Sequence, residues 1–371
     1  RDLRMSRGLG DVYKRQVDPI QGGAGTSVNM NMNEVLCNRA LEIMGKEKGR
    51  YDLISPNNHA NMAQSTNDVF PTSIKVCLSM KGKKLTAALK ELEIELDVKA
   101  DEFKDVIKMG RTHLQDAVPI TLGQEMGAYA SAVARGRKRI SRSLEGVHVI
   151  NMGGTAVGTG LNAEPAYIKA VAAKLSMLTG DIYVTARNLI DMTNNTDIFA
   201  EVSGNMKATA LMLIKMANDF RLMASGPRCG LNELKLPARQ PGSSIMPGKV
   251  NPVMAFNLFH SMRYLTNAVH AFVKYLLKGV KANKEACQSW VDHSVGIVTA
   301  LLPHIGYERS SMLAKEAYAT GRPIREIILE HGYLTKEQID IILSPQEMIQ
   351  PGIAGKEVLE EPYLAQQKIS G

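Results

Sequence analysis

From Ile74 to Ile107 one apolar stripe runs along the chain: Ile74, Leu78, Leu85, Leu89, Leu92, Leu96, Phe103 and Ile107 recur at threes, fours and sevens. That spacing marks one face of an α-helix, and the stripe far exceeds the three turns of an average helix. A helix this long cannot cover its own apolar face, so it needs partners of similar length. The chain supplies them. Helical patterns extend from Thr121 to about Val149, from about Thr196 to Ala224 and from Val253 to Leu277. Beyond Ala282 the helices shorten, with stops at Pro303, Gly321-Arg322-Pro323 and Gly332, and Thr335 with Gln338 has the spacing of a capping box. No strand alternation and no internal repeat stands out. The expected fold class is all-α: a long-helix bundle followed by a small C-terminal helical domain.

Composition suits such a bundle. Aromatic residues make up only 5% of the 371 residues while methionines number 20, so the core is expected to be aliphatic and Met-rich. The formal net charge of +8 would serve nucleic acid, an anionic surface or an acidic small molecule. Nucleic acid is disfavoured, because no recognition motif is present and the basic residues are spread along helices. Their densest run, Arg135-Gly136-Arg137-Lys138-Arg139, reads as a solvated helix face. Cys37, Cys77, Cys229 and Cys287 lie far apart without a CxxC pair, which argues against a metal knuckle or a disulfide framework and fits a reducing cytoplasm. No apolar run reaches membrane-spanning length. Residues 1–16 are polar and basic, unlike a signal peptide and unlike the rest of the chain, and are set aside as a leader.

Chemistry-bearing residues gather in the polar loops. Gln21-Gly22-Gly23-Ala24-Gly25 precedes a helix that Thr26 or Ser27 can cap and that runs to about Met44, closed by Gly45. The glycine spacing matches no nucleotide-binding pattern, whereas a helix N-terminus can face a carboxylate. Gln64-Ser65-Thr66-Asn67-Asp68 reads as a helix cap, with the long helix starting after Pro71. Arg111-Thr112-His113-Leu114-Gln115-Asp116 is a short polar loop whose histidine is by default a structural hydrogen-bonder, and Asn151 to Pro165 is rich in glycine. Between Gly242 and Pro252, Ser243, Ser244, Lys249 and Asn251 could all reach one small anion, and the glycines would let the loop close over it. Long up-and-down helices place successive loops at opposite ends. Gathering these loops into one site therefore calls for several subunits, and a homo-oligomer with shared sites is expected.

The run Gly242-Ser-Ser-Ile-Met-Pro-Gly-Lys-Val-Asn-Pro252 resembles the signature loop of the aspartase/class II fumarase superfamily, and the resemblance extends from about Val17 to the C-terminus. Gln21-Gly-Gly-Ala-Gly-Thr-Ser27, Gln64-Ser-Thr-Asn-Asp68, Gly230-Leu-Asn-Glu233 and Pro351-Gly-Ile-Ala-Gly355 are similar to the aspartase branch rather than the fumarase branch. The resemblance implies a long-helix bundle and the reversible elimination of ammonia from L-aspartate to fumarate through an enolate, with no cofactor and no metal. It implies that Ser243 is the base and that His113 and Asn67 lie near the leaving amino group. Thr26, Ser65, Thr66 and Ser244 would hold the β-carboxylate, and Thr112, Lys249 and Asn251 the α-carboxylate. A homotetramer with each site shared by three subunits, a small-molecule substrate, a cytoplasmic location and no nucleic-acid or membrane partner complete the expectation.

Set against that family, the chain divides into a leader (1–16), a remnant of the N-terminal domain (17–64), the central bundle (65–282) and a C-terminal helical domain (283–371). The resemblance implies two departures: most of the family's N-terminal domain would be missing, and the passage from Asn251-Pro252-Val253 into Met254-Ala255-Phe256-Asn257-Leu258 would skip a segment. The skipped part would hold a bundle helix and the glutamate that orients the site histidine. Two alternatives accompany the leading reading: a class II fumarate hydratase, and a truncated superfamily member without turnover.

Overall fold

A computed structural model describes residues 24–226, 228–237, 261–348 and 353–359. Helix α1 covers Thr26–Ile43 and α2 covers Thr66–Glu102. The antiparallel hairpin β1 (Ile107–Thr112) and β2 (Gln115–Thr121) leads into α3 (Leu122–Gly146). Strand β3 (Val149–Ile150) pairs in parallel with β4 (Val184–Thr185) across α4 (Pro165–Thr179). Then come α5 (Leu189–Asn194), α6 (Asp197–Met223), β5 (Leu234–Lys235), α7 (Ser261–Tyr275) and β6 (Lys281–Ala282), with β6 antiparallel to β5. The described chain closes on short helices, chiefly α8 (Lys284–Asp292), α9 (Tyr307–Thr320), α10 (Ile324–His331) and α11 (Lys336–Ile342). The fold is helical, and among the described residues the strands form only three two-stranded pairings. No helix among them is long and apolar enough to cross a membrane.

The described residues form two compact units. One holds the chain up to Thr86 together with Lys138–Lys207, and the other holds Ala87–Arg137 and Ala208 onward. The second unit uses the apolar stripe as its spacing predicts: Leu89, Leu92 and Leu96 have no exposed surface. Its C-terminal helices bury Ile297, Leu301, Leu313, Ile327 and Ile342 in one cluster with Met109. Full burial of each such side chain contributes about 1.5–3 kcal/mol.

Leu85, in the first unit, is buried as well, but toward its start the stripe reverses. Ile74 and Leu78 are only half-buried, while Asp68, Thr72, Lys75 and Ser79 are buried. These four recur at intervals of four, three and four, so they make a helical stripe of polar residues. Each has a partner, as buried polar groups require. Thr72 Oγ1 donates to Asn151 Oδ1 at 3.4 Å and Lys75 Nζ to the Val149 carbonyl at 2.7 Å. Ser79 Oγ lies 3.1 Å from His148 Nε2 and donates to Asp181. Burial pushes the Lys75 ammonium below its ordinary value, against the pull of Asp197.

Four local expectations are corrected. Helix α2 begins at Thr66, not after Pro71. Proline has no N–H for the carbonyl four residues earlier, and the Asn67 carbonyl instead accepts from Asn151 Nδ2 at 3.0 Å. The helix also ends at Glu102, and the 107–121 segment is a hairpin. Ile107 and Met109 pack toward the C-terminal cluster with a strand period, but two apolar residues are too few to reveal that period in the sequence. Gly110 sits at the register shift of β1, where a Cβ would lie 2.7 Å from the Val118 carbonyl oxygen. Finally, neither Thr26 nor Ser27 caps α1. Its N-cap is Gly25 in the left-handed region (φ 89°), with no side-chain hydrogen bond. The Phe70 ring fills the space a Cβ there would need. Other punctuation matches: Gly45, Gly321 and Gly332 are left-handed, and Thr335 with Gln338 forms the capping box.

Candidate active site

In the first unit the start of α1, the Ser65-Thr66-Asn67 segment and the 151–158 turn converge. Asn29 Nδ2 donates to Asn61 Oδ1 and to Thr66 Oγ1, both at 3.1 Å, and Asn33 Nδ2 reaches the same Asn61 oxygen at 3.1 Å. This asparagine set fixes the Thr66 hydroxyl beside the first turn of α1. Ser65 Oγ accepts from Asn67 N at 3.2 Å, so the cap reading of this stretch is met. Thr66 and Asn67 line a cleft of about 700 Å³, together with Lys75, Ala156, Thr193 and Phe199.

Asp68 ties these pieces together. It has no exposed surface, and Oδ1 accepts from Ser65 N at 2.9 Å. Its Oδ2 accepts from Gly153 N at 3.1 Å and Thr155 N at 3.0 Å. Burial pushes the carboxyl above its ordinary value, and the backbone N–H groups pull the other way. One residue further on, the Ala156 carbonyl accepts from Asn67 Nδ2 at 2.7 Å. The turn itself is strained. Thr155, a β-branched residue, has φ 55°, and its buried hydroxyl has no hydrogen-bond partner among the described residues. Gly158 has φ 91°, with Ile190 backbone atoms 2.4–2.5 Å from where a Cβ would be.

In the second unit Thr112 and His113 are exposed at the tip of the β1–β2 hairpin. The two turn residues, His113 (φ 52°) and Leu114 (φ 63°), are both left-handed. A two-residue hairpin turn demands this, and Asn-Gly normally provides it. Holding two bulky residues there costs about 1–3 kcal/mol each, so the hairpin must be anchored from below. Glu233 does that. It is fully buried and bonds Arg111 Nη1 through Oε1 at 2.8 Å. Its Oε2 faces Lys108 Nζ at 3.0 Å, an ionic contact outside hydrogen-bonding angles. Lys108 also pairs with Glu125 at 2.6 Å. Tyr129 donates to Asp219 at 2.8 Å, and Asp219 pairs with Lys215. A cleft of about 500 Å³ lies over these groups, lined by Lys108, Arg111, Thr112, His113, Lys215 and Asp219. Burial, with Glu233 nearby, pushes the Cys287 thiol up to about 12, so it stays protonated at neutral pH.

Of the residues singled out in the sequence, Thr26, Ser65, Thr66 and Asn67 belong to the first unit, and Thr112 and His113 to the second. Ser243, Ser244, Lys249 and Asn251 lie outside the described residues. Sequence reasoning gave no role to Asp68 beyond a cap, none to the Gly153–Ala156 turn, and none to Glu233 beyond a resemblance. No spacing signal marks them, because each owes its importance to burial.

Comparison with known proteins shows the family of the chain. The family described as Lyase matches residues 9–263, and the one described as Fumarase C C-terminus matches residues 297–350. An aspartate ammonia-lyase from a Bacillus species is 51% identical over 92% of this chain and 80% of its own length. The Bacillus subtilis aspartate ammonia-lyase is 50% identical over 93% and 80%. Among solved structures, a fumarate lyase:delta crystallin from Brucella melitensis superposes with a TM-score of 0.85 at 40% identity, covering 90% of this chain and 80% of that one. The helical bundle is thus that of a lyase. The chain belongs to this lyase family, in the branch of the aspartate ammonia-lyases.

Proposed function

We propose that the chain catalyses the reversible elimination of ammonia from L-aspartate to give fumarate. The observation that carries this reading is the 51% identity to an aspartate ammonia-lyase across nine-tenths of the chain. Aspartate offers two carboxylates and an ammonium group, and the chain's polar loops offer matching chemistry. In the reading, Ser243 removes a proton from the carbon beside the β-carboxylate. A serine hydroxyl is a weak acid, so its alkoxide depends on backbone N–H donors and nearby positive charge in a closed loop. Negative charge then builds on the β-carboxylate as an enolate. Thr26, Ser65, Thr66 and Ser244 donate to it, and preorganised donors of this kind contribute several kcal/mol each, on the order of 3. Thr112, Lys249 and Asn251 hold the α-carboxylate, and His113 with Asn67 surrounds the leaving amino group. The uncapped first turn of α1 and the fixed Thr66 hydroxyl support the carboxylate assignment.

Assembly follows from the same reading. Thr26 with the 65–67 segment, Thr112 with His113, and the 243–251 loop come to each site from three subunits of a homotetramer. The division into residues 17–64, 65–282 and 283–371 is proposed as the family's three-part plan, and the cytoplasm as the location. The test is direct. The purified chain, given L-aspartate, releases fumarate, followed by its ultraviolet absorbance, while light scattering reports a tetramer. Ser243→Ala lowers kcat by at least about 10²-fold, the range for loss of a general base. An active monomer, or a Ser243→Ala variant with undiminished turnover, contradicts the proposal.

A further inference from the structure

The polar stripe of α2 starts at Asp68, and Asp68 touches no substrate group in the reading above. Its carboxylate joins two pieces of backbone. Through Oδ1 it holds Ser65 N, and through Oδ2 it holds both Gly153 N and Thr155 N. The turn held by Oδ2 presents the Ala156 carbonyl to Asn67 Nδ2 at 2.7 Å. A carbonyl oxygen only accepts, so the NH₂ end of the Asn67 amide must face it. That leaves Oδ1 as the open end of the amide, and Asn67 lines the cleft. The Asn67 main chain is pinned as well, its N–H by Ser65 Oγ and its carbonyl by Asn151. Strain at Thr155 and the close packing of Gly158 on Ile190 indicate a turn held in one shape by its surroundings.

We propose that Asp68, acting through the Gly153–Ala156 turn, is a positioning residue that fixes the Asn67 amide with its oxygen toward the cleft, where it orients the substrate ammonium. The proposal rests on the aspartate ammonia-lyase reading and deepens it. In the elimination a C–H bond breaks and its proton passes to the base. The electron pair forms the C=C bond, and the C–N bond breaks with nitrogen keeping its pair as ammonia. The substrate ammonium carries three N–H donors and needs no proton to leave, so an acceptor beside it orients it.

The experiment is the reverse reaction, with ammonium and fumarate varied separately. Asp68→Asn has one oxygen for N–H donors on two sides, so it releases one of them. Thr155→Gly tolerates the left-handed backbone and loosens the turn alone, so it remains informative if the Asp68 variant does not fold. In each folded variant the KM for ammonium rises, roughly tenfold in Asp68→Asn, as loss of an oriented bond to a charged group implies. The KM for fumarate changes by less, within about twofold in Thr155→Gly. Parallel changes in both constants, or none, in folded variants overturn the proposal while leaving the lyase reading intact. An unmodified chain that makes malate and no aspartate overturns both.

Discussion

Glu233 is the sharpest place to break the second unit. Its carboxylate has no exposed surface and faces two cations, Arg111 at 2.8 Å and Lys108 at 3.0 Å. Glu233→Ala leaves Lys108 with Glu125, but among the described residues leaves Arg111 only Asp116 at 3.8 Å, and that partner is 43% exposed. An exposed pair returns at most about 1 kcal/mol, whereas removing one member of a buried ion set costs about 3–5 kcal/mol. Glu233→Gln keeps an oxygen for Arg111 but turns an NH₂ toward Lys108, so it costs less, about 1–3 kcal/mol. The single tryptophan, Trp290, is a convenient probe, because its Nε1 donates to the Leu231 carbonyl at 2.9 Å, two residues from Glu233. Equilibrium urea unfolding followed by Trp290 fluorescence should rank parent, Gln and Ala in that order of falling stability. An Ala variant within about 0.5 kcal/mol of the parent, the range of a surface substitution, would refute the claim that this buried carboxylate anchors the hairpin.

Three further outcomes follow from the same geometry. Leu114→Gly removes left-handed strain at a side chain that is 70% exposed, so thermal unfolding should show a gain of about 0.5–1 kcal/mol; a loss would mean the turn is not strained. Gly158→Ala puts a Cβ into the Ile190 backbone and should leave the chain insoluble or several degrees less stable by scanning calorimetry, whereas an unchanged melting curve contradicts the packing. Lys83 first, then Ser79, hold the Asp181 carboxyl down at about 2, below its ordinary 3.8. A depressed folded value stabilises above the unfolded one, so this contribution is present above about pH 4 and lost as pH falls to about 2. Stability measured across that window should fall less steeply in Asp181→Asn than in the parent.

The sequence made the helical architecture legible because apolar spacing over many turns leaves little choice. Leu89, Leu92 and Leu96 are buried where their period puts them. The same stripe misled at both ends. At its start the buried face is Asp68, Thr72, Lys75 and Ser79, and nothing in the sequence says that partners such as Asn151 and the Val149 carbonyl will meet them. At its end Ile107 continues the helical spacing by chance, and the His113-Leu114 turn lacks the Asn-Gly pair that announces a hairpin. Thr66, Asn67 and His113 could be singled out because polar loops between long helices are conspicuous and because the motifs resemble a family. The groups that hold them, Asp68 and Glu233, could not, since a buried carboxylate and an exposed one look alike until the chain is folded.

The central claim is the reaction itself, and product identity tests it most directly. The purified chain is incubated with fumarate, once with ammonium and once without, and the products are read by NMR. The account predicts aspartate in the first sample and no comparable malate in the second. Malate without ammonium would move the chain to the hydratase chemistry of its superfamily, and no product in either sample from a folded chain would contradict the proposed activity.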